Sequence, residues 1–166
     1  MNKVIWIIGV MCSGKTTFSE KFGKLIGTKP FHLDHIRHDI PLIEAYKEAI
    51  QGGLIEGFTP HRNEEHLKAI TEALKGHEVK YILISPSYEQ WKENCKPIIA
   101  CPTDENPPDY TREEYEAENN RLKILTNPIL TICNITNIKI IPTIPNNIFF
   151  KICIYFQCPT SCAITE

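Results

Sequence analysis

The sequence predicts an α/β domain: a three-layer, doubly wound parallel sheet of about five strands. Three observations point there. Short apolar, β-branched runs alternate with amphipathic helical stretches along the chain. The runs are apolar almost throughout, which is the pattern of strands covered on both faces. The first run also ends in a glycine-rich loop that opens a helix, the entry to a strand–loop–helix unit.

The elements follow in order. "KVIWIIGV" from Lys3 is the first strand. "SGKTTFSEKFGKLIG" then places Phe18, Phe22, Leu25 and Ile26 at helical spacing and stops at Gly27. "KPFHLD" reads as a short second strand, and "IPLIEAYKEAIQGG" as a helix with Pro41 near its start and a Gly-Gly stop. "LIEGF" is the third strand. "NEEHLKAITEALKGH" is a helix with Asn63 as N-cap, acids in its first turn, Leu67, Ile70 and Leu74 on one face, and Gly76 closing it. "VKYILISP" is the fourth strand, "SYEQWKENC" begins a fourth helix, and "CPTDENPPDY" is a loop by its prolines and acids. "TREEYEAENNRLKIL" is a charged helix and "NIKIIP" (137–142) the expected fifth strand. Residues 1–145 are thus expected to form one domain with a short lid around 95–112, followed by a tail, 146–166, of low charge and no helical period.

Composition bounds what such a domain does. The chain has 166 residues and a net charge of −2, so no basic surface suggests nucleic acid or an anionic membrane as partner. No apolar run is long enough to span a bilayer. "MNK" leads straight into "VIWII", too short a run for a signal peptide, and a cytoplasmic location is expected. The seven cysteines include no Cys-x-x-Cys pair, and their odd number argues against a disulfide framework; free thiols are expected.

The chemistry sits in "GVMCSGKT", Gly9 to Thr16, which fits G-x-x-x-x-G-K-[ST], the phosphate-binding P-loop. Glycines let successive backbone N–H groups turn inward as an anion nest. The next helix presents its N-terminus to the same phosphates. Gly9, Cys12, Ser13, Gly14, Lys15, Thr16 and Thr17 are the expected nucleotide-binding residues, with Lys15 as the point charge and the Thr16 hydroxyl as a hard ligand for Mg²⁺. Asp34 and Arg37 stand near the end of the second strand and Glu56 at the end of the third, followed by Arg62. In open parallel sheets ligands bind beyond the carboxyl ends of the strands, so these residues are expected to converge on the loop.

Those stretches resemble the adenylate kinases and related nucleoside monophosphate kinases. Asp34-x-x-Arg37 looks like the acid and arginine of their G-D-[LM]-L-R stretch. "LIEGFTPHR" is similar to D-G-F-P-R, with Glu56 for the aspartate and one residue inserted before Arg62, and Arg121-Leu122 with Pro128-Ile129-Leu130 resembles their R-L…P-L pattern. The resemblance spans roughly residues 3–142 and implies a nucleotide-kinase-like P-loop NTPase fold. It also implies an ATP- and Mg²⁺-dependent phosphotransferase acting on a small acceptor: a nucleoside, a nucleotide or a hydroxylated metabolite. On that footing Arg37 and Arg62 would bind the acceptor, and Glu56 would hold Mg²⁺ through water. Asp34 would accept the acceptor's proton or bind Mg²⁺, and Arg112 or Arg121 would be the lid-side arginine. Two departures stand out. Only 18 residues separate Arg37 from Glu56, where the family places a mobile subdomain, and Lys96 is the one base between Cys95 and Tyr110. The compact layout is also similar to shikimate- and gluconate-type kinases.

Other readings stay open at this point. Asp34 and Arg37 can simply pair with one another, Glu56 can be a structural carboxylate, and His32, His35 and His38 read better as neutral surface histidines than as a metal site. Trp6, Tyr88 and Trp91 read as core. A P-loop NTPase or switch without an acceptor, and a non-catalytic nucleotide-binding protein, are the alternative functions. The sequence does not fix an oligomeric state.

Overall fold

A computed structural model describes residues 2–57, 64–100, 107–125 and 129–132. Its elements are β1 (Lys3–Ile8), α1 (Lys15–Ile26), β2 (Phe31–His32), a 3₁₀ turn (Leu33–His35), α2 (Leu42–Ile50), β3 (Leu54–Glu56), α3 (Glu64–Ala73), β4 (Glu78–Ile84), α4 (Tyr88–Ala100), α5 (Arg112–Leu125) and β5 (Ile129–Ile132). Among the described residues, five parallel strands form one sheet in the order β2-β3-β1-β4-β5. No helix among the described residues is long and apolar enough to cross a membrane.

The central position of β1 explains its unbroken apolar character. Successive strand residues point to opposite faces. Val4, Trp6 and Ile8 join a core built with Tyr46 and Ala49 of α2, Ile70 of α3, Trp91 and Cys95 of α4, and Tyr115 and Leu122 of α5. Ile5 and Ile7 face the other way, toward Phe18 and Phe22 of α1. Among the described residues, one helix on one face and four on the other give the three expected layers. Trp6 and Trp91 are core residues, as expected, and Tyr88 packs at its edge.

Local chemistry sets the helix starts. Ser87 Oγ accepts from the Gln90 amide at the head of α4. At α5, Thr111 Oγ1 accepts from the Glu114 amide while the Glu114 carboxylate accepts from the Thr111 amide, a reciprocal capping box.

Several expectations need correction. The second strand is only two residues long, because the chain turns at Leu33–His35 to bury Leu33 and Ile36. Asp34 therefore lies in a 3₁₀ turn rather than on a strand. Leu25, placed on the buried face of α1 by its spacing, is 44% exposed. The first part of the stretch read as a lid, 95–100, continues α4 with Pro97 inside it. Proline keeps a helical φ and removes one hydrogen bond, so a helix can pass through it. The fifth strand of the sheet is Ile129–Ile132, in register with Tyr81–Ile84. The stretch 137–142, the Asn63 cap and the tail 146–166 lie outside the described residues.

Candidate functional site

The loop between β1 and α1 forms at the carboxyl end of the central strand, and the structure shows why its residues are what they are. A Cβ on Gly9 would stand 2.5 Å from the Ile84 carbonyl oxygen and 2.6 Å from Ser13 Oγ, so the backbone there runs against the end of β4. Gly14 holds φ 92°, left-handed backbone that glycine adopts without strain. Cys12 holds φ 63° with a side chain, an uncommon state that its neighbours must maintain. They do so through α4: Trp91 Nε1 donates to the Met11 carbonyl at 2.8 Å, and Asn94 Nδ2 to the Cys12 carbonyl at 3.0 Å.

Lys15 begins α1 and folds back, its ammonium donating to the Val10 carbonyl at 3.1 Å. Burial pushes its pKa below the ordinary lysine value, and the charges of Glu56, Asp34 and Cys12 only partly offset that. A cation that has lost water is stabilised by an incoming anion.

Glu56, at the end of β3, is 2% exposed. Its Oε1 accepts from the Thr16 hydroxyl at 3.4 Å, and its Oε2 pairs with His32 Nδ1 at 2.6 Å. The other imidazole nitrogen of His32 meets Glu20 Oε1 at 3.0 Å. Burial alone would lower the His32 pKa, but hydrogen bonds to Glu56 and Glu20, reinforced by their charges, hold it above the ordinary value. Asp34 belongs to the same corner, because a Cβ on Gly57, next to Glu56, would lie 3.6 Å from its Oδ1.

A cleft of about 570 Å³ opens over the loop, within the range of small-ligand sites. Cys12, Ser13, Gly14, Lys15, Thr16 and Thr17 line one side, Gln90, Glu93, Asn94 and Pro97 of α4 the other, and Lys21 and Pro86 complete it. Ser13 Oγ is buried with no hydrogen-bond partner. The residues present fit a magnesium–nucleoside triphosphate. An orphaned hydroxyl, a desolvated ammonium and a cradle that a Cβ at Gly9 would fill all suit phosphate, and the oxygens of Thr16 and Glu56 suit a hard cation.

The structure thus brings together Gly9, Cys12, Ser13, Gly14, Lys15, Thr16, Thr17, Glu56 and Asp34. It does not bring in the arginines. Arg37 is gripped by Asp39, through Nε at 3.0 Å and Nη2 at 2.7 Å, with Glu48 at 3.4 Å, rather than by Asp34. Arg112 pairs with Glu89 and lies over the Tyr88 ring, 5.0 Å from its centroid. Arg121 Nη1 is 3.6 Å from Glu118 of its own helix. None of the three lines the cleft. Arg37 and Arg121 each have an acid within three residues along the chain, whereas the Arg112–Glu89 pair, 23 residues apart, is one that linear spacing does not reveal. Arg62 lies outside the described residues.

Sequence reasoning also missed His32, Trp91 and Asn94 as site residues. His32 is not a bare surface histidine but bridges two carboxylates, and the parallel register His32↔Glu56 was the signal that could have found it.

No protein-family model and no curated protein sequence matches the chain. Solved structures do. The tunicamycin resistance protein of Deinococcus radiodurans aligns over 79% of this chain and 86% of its own at 15% identity, with a TM-score of 0.52. A sugar kinase from Janibacter sp. aligns over 81% and 85% at 14% identity and TM-score 0.45. The APS kinase of Mycobacterium tuberculosis, solved with AMPPNP and APS, aligns over 75% and 97% at 15% identity and TM-score 0.39. At such identities the likeness speaks for architecture alone: the chain shares the α/β fold of the tunicamycin resistance protein over most of its length, without being tied to the adenylate kinases in particular.

Proposed function

We propose that this chain is an ATP-dependent phosphotransferase that moves the γ-phosphoryl group to a small acceptor bearing a hydroxyl or phosphate, such as a nucleoside, a nucleotide or a hydroxylated metabolite. One observation carries the proposal. At the carboxyl edge of the sheet, the loop's orphaned Ser13 hydroxyl, the desolvated Lys15 and the Thr16–Glu56 oxygen pair meet in a single corner. Backbone amides of residues 9–16 and the N-terminus of α1 would bind the phosphates, and Lys15 would offset charge on the β- and γ-oxygens. Thr16 and Glu56 would hold Mg²⁺, which neutralises phosphate charge when bound. Asp34, beside Glu56, is the proposed base for an acceptor hydroxyl. Arg37 and Arg62 are the proposed acceptor contacts, and Arg112 or Arg121 the lid-side cation, each needing to leave its present acid where it has one.

That last point favours a second reading. With Arg112 held by Glu89 and Arg121 by Glu118, the cleft as it stands suits nucleotide binding or slow hydrolysis without an acceptor. ADP release measured with ATP, Mg²⁺ and a panel of nucleosides, nucleotides and sugar or acid metabolites separates the two. An acceptor that raises the rate well above its acceptor-free level, in wild type and not in Lys15→Met, supports transfer. A panel in which none does sinks the kinase reading and leaves the binding one.

A further inference from the structure

Two thiols meet where the nucleotide loop touches α4. Trp91 and Asn94, one helical turn or less before Cys95, hold the Met11 and Cys12 carbonyls at 2.8 and 3.0 Å. Cys12 packs on the buried cluster that contains Cys95, and the Cys12 side chain is among the influences that raise the Cys95 pKa. Both are free thiols; Cys12 is partly exposed and lines the cleft, while Cys95 is buried. Nothing in phosphate binding requires sulfur at either place.

We propose that Cys12 and Cys95 are a reversible oxidation site, which a hydroperoxide converts to a disulfide that ties the phosphate loop to α4. The order of events follows from access. The Cys12 sulfur attacks a peroxide oxygen: an S–O bond forms, the O–O bond breaks, and the alcohol or water leaves with the thiol proton, giving a sulfenic acid. The Cys95 sulfur then attacks the Cys12 sulfur; the S–S bond forms, the S–O bond breaks, and hydroxide departs as water with the Cys95 proton. Two thiols and one hydroperoxide thereby give one disulfide, one alcohol and one water, with two electrons passing from sulfur to oxygen. Exposure sets the order: Cys12, partly exposed in the cleft, meets the peroxide first. The buried Cys95, its thiol pushed up to about 12 by burial and then by its interaction with Cys12, reacts second and slowly, through its small thiolate fraction. A dithiol reverses the reaction by exchange.

The consequence for ligand binding rests on the nucleotide-binding reading above. A disulfide holds its sulfurs at about 2.05 Å, closer than any thiol–thiol contact, so oxidation draws Cys12 toward α4. Cys12 already sits in strained left-handed backbone between two residues whose amides form the nest. Moving it misaligns those donors, and loss of one charge-assisted hydrogen bond to phosphate weakens triphosphate binding by about tenfold.

The test uses the full chain, treated with hydrogen peroxide and mapped by mass spectrometry without reduction, with and without later dithiothreitol. Expected is a peptide pair joined between Cys12 and Cys95, lost on reduction, and calorimetric ATP affinity about tenfold weaker in the oxidised protein and restored by dithiothreitol. Cys95→Ser and Cys95→Ala keep the reduced protein's ATP affinity and lose its sensitivity to peroxide; two variants guard against one misfolding. Absence of the Cys12–Cys95 peptide, or pairing of Cys12 with a different cysteine, overturns the proposal. A disulfide that leaves ATP affinity unchanged overturns the control of binding. Reduced protein that takes up no ATP overturns the nucleotide-binding reading alone, because the peptide map reads the disulfide without nucleotide.

Discussion

Replacing Gly9 by alanine tests the loop at the place where its packing is tightest. The added Cβ would stand 2.5 Å from the Ile84 carbonyl oxygen, 2.6 Å from Ser13 Oγ and 3.3 Å from Lys15 Cγ. Reaching even 3.0 Å from Ile84 needs a shift of at least 0.5 Å. The neighbour is backbone, and β4 is locked to β1 through Ile8↔Leu83, so the loop must give way. Overpacking of this kind costs about 1–3 kcal/mol, or a drop in the urea midpoint of roughly 1 M. Because Ser13 and Lys15 are displaced together, ATP affinity should fall by about tenfold or more. Gly27→Ala is the control. Its φ is +69° with nothing within 4 Å of the new Cβ, so left-handed strain costs a similar ~1–2 kcal/mol far from any phosphate. Urea titration and calorimetry on both variants separate the effects. Gly9→Ala binding ATP as tightly as wild type, or Gly27→Ala losing affinity equally, would refute the reasoning.

Three further perturbations follow from the same geometry. Lys15→Met should abolish ATP uptake while leaving the urea midpoint at or above wild type, since the ammonium is desolvated and bonds only a loop carbonyl among the contacts seen; a large loss of stability would contradict this. His32→Gln should destabilise by about 1–3 kcal/mol at pH 5.5 through loss of charge-assisted bonds to Glu56 and Glu20. The His32 pKa is raised on folding, so its protonated form stabilises fully below the ordinary histidine pKa and the benefit fades as pH rises through the folded value. Urea midpoints of wild type and variant should therefore converge with rising pH, and a gap that widens would be the wrong sign. Trp91→Phe leaves the Met11 carbonyl without its indole donor and should cost about 1–3 kcal/mol, with weaker ATP binding; unchanged affinity would show that α4 does not support the loop.

The layers and the loop were legible because their signals are local. A strand buried on both faces has to be apolar throughout, as β1 is, and a phosphate nest needs small residues at fixed intervals, as Gly9 and Gly14 supply. Glu56 was legible through its place at a strand end. The partners of charged side chains were not. Arg37 turns to Asp39 and Glu48, Arg112 crosses to Glu89, and His32 joins Glu20 to Glu56. Apart from Arg37–Asp39, which are two residues apart, these are pairings made in space and invisible to spacing along the chain. Leu25 shows the same limit for packing: helical periodicity assigned it to the core, yet the covered arc of α1 ends at Phe22 and Ile26.

Titration of a non-hydrolysable ATP analogue into the folded protein, with and without Mg²⁺, bears most directly on whether residues 9–16 grip a polyphosphate. Expected is a single site that tightens with Mg²⁺ and vanishes in Lys15→Met. A well-folded chain that takes up no triphosphate under either condition would contradict it.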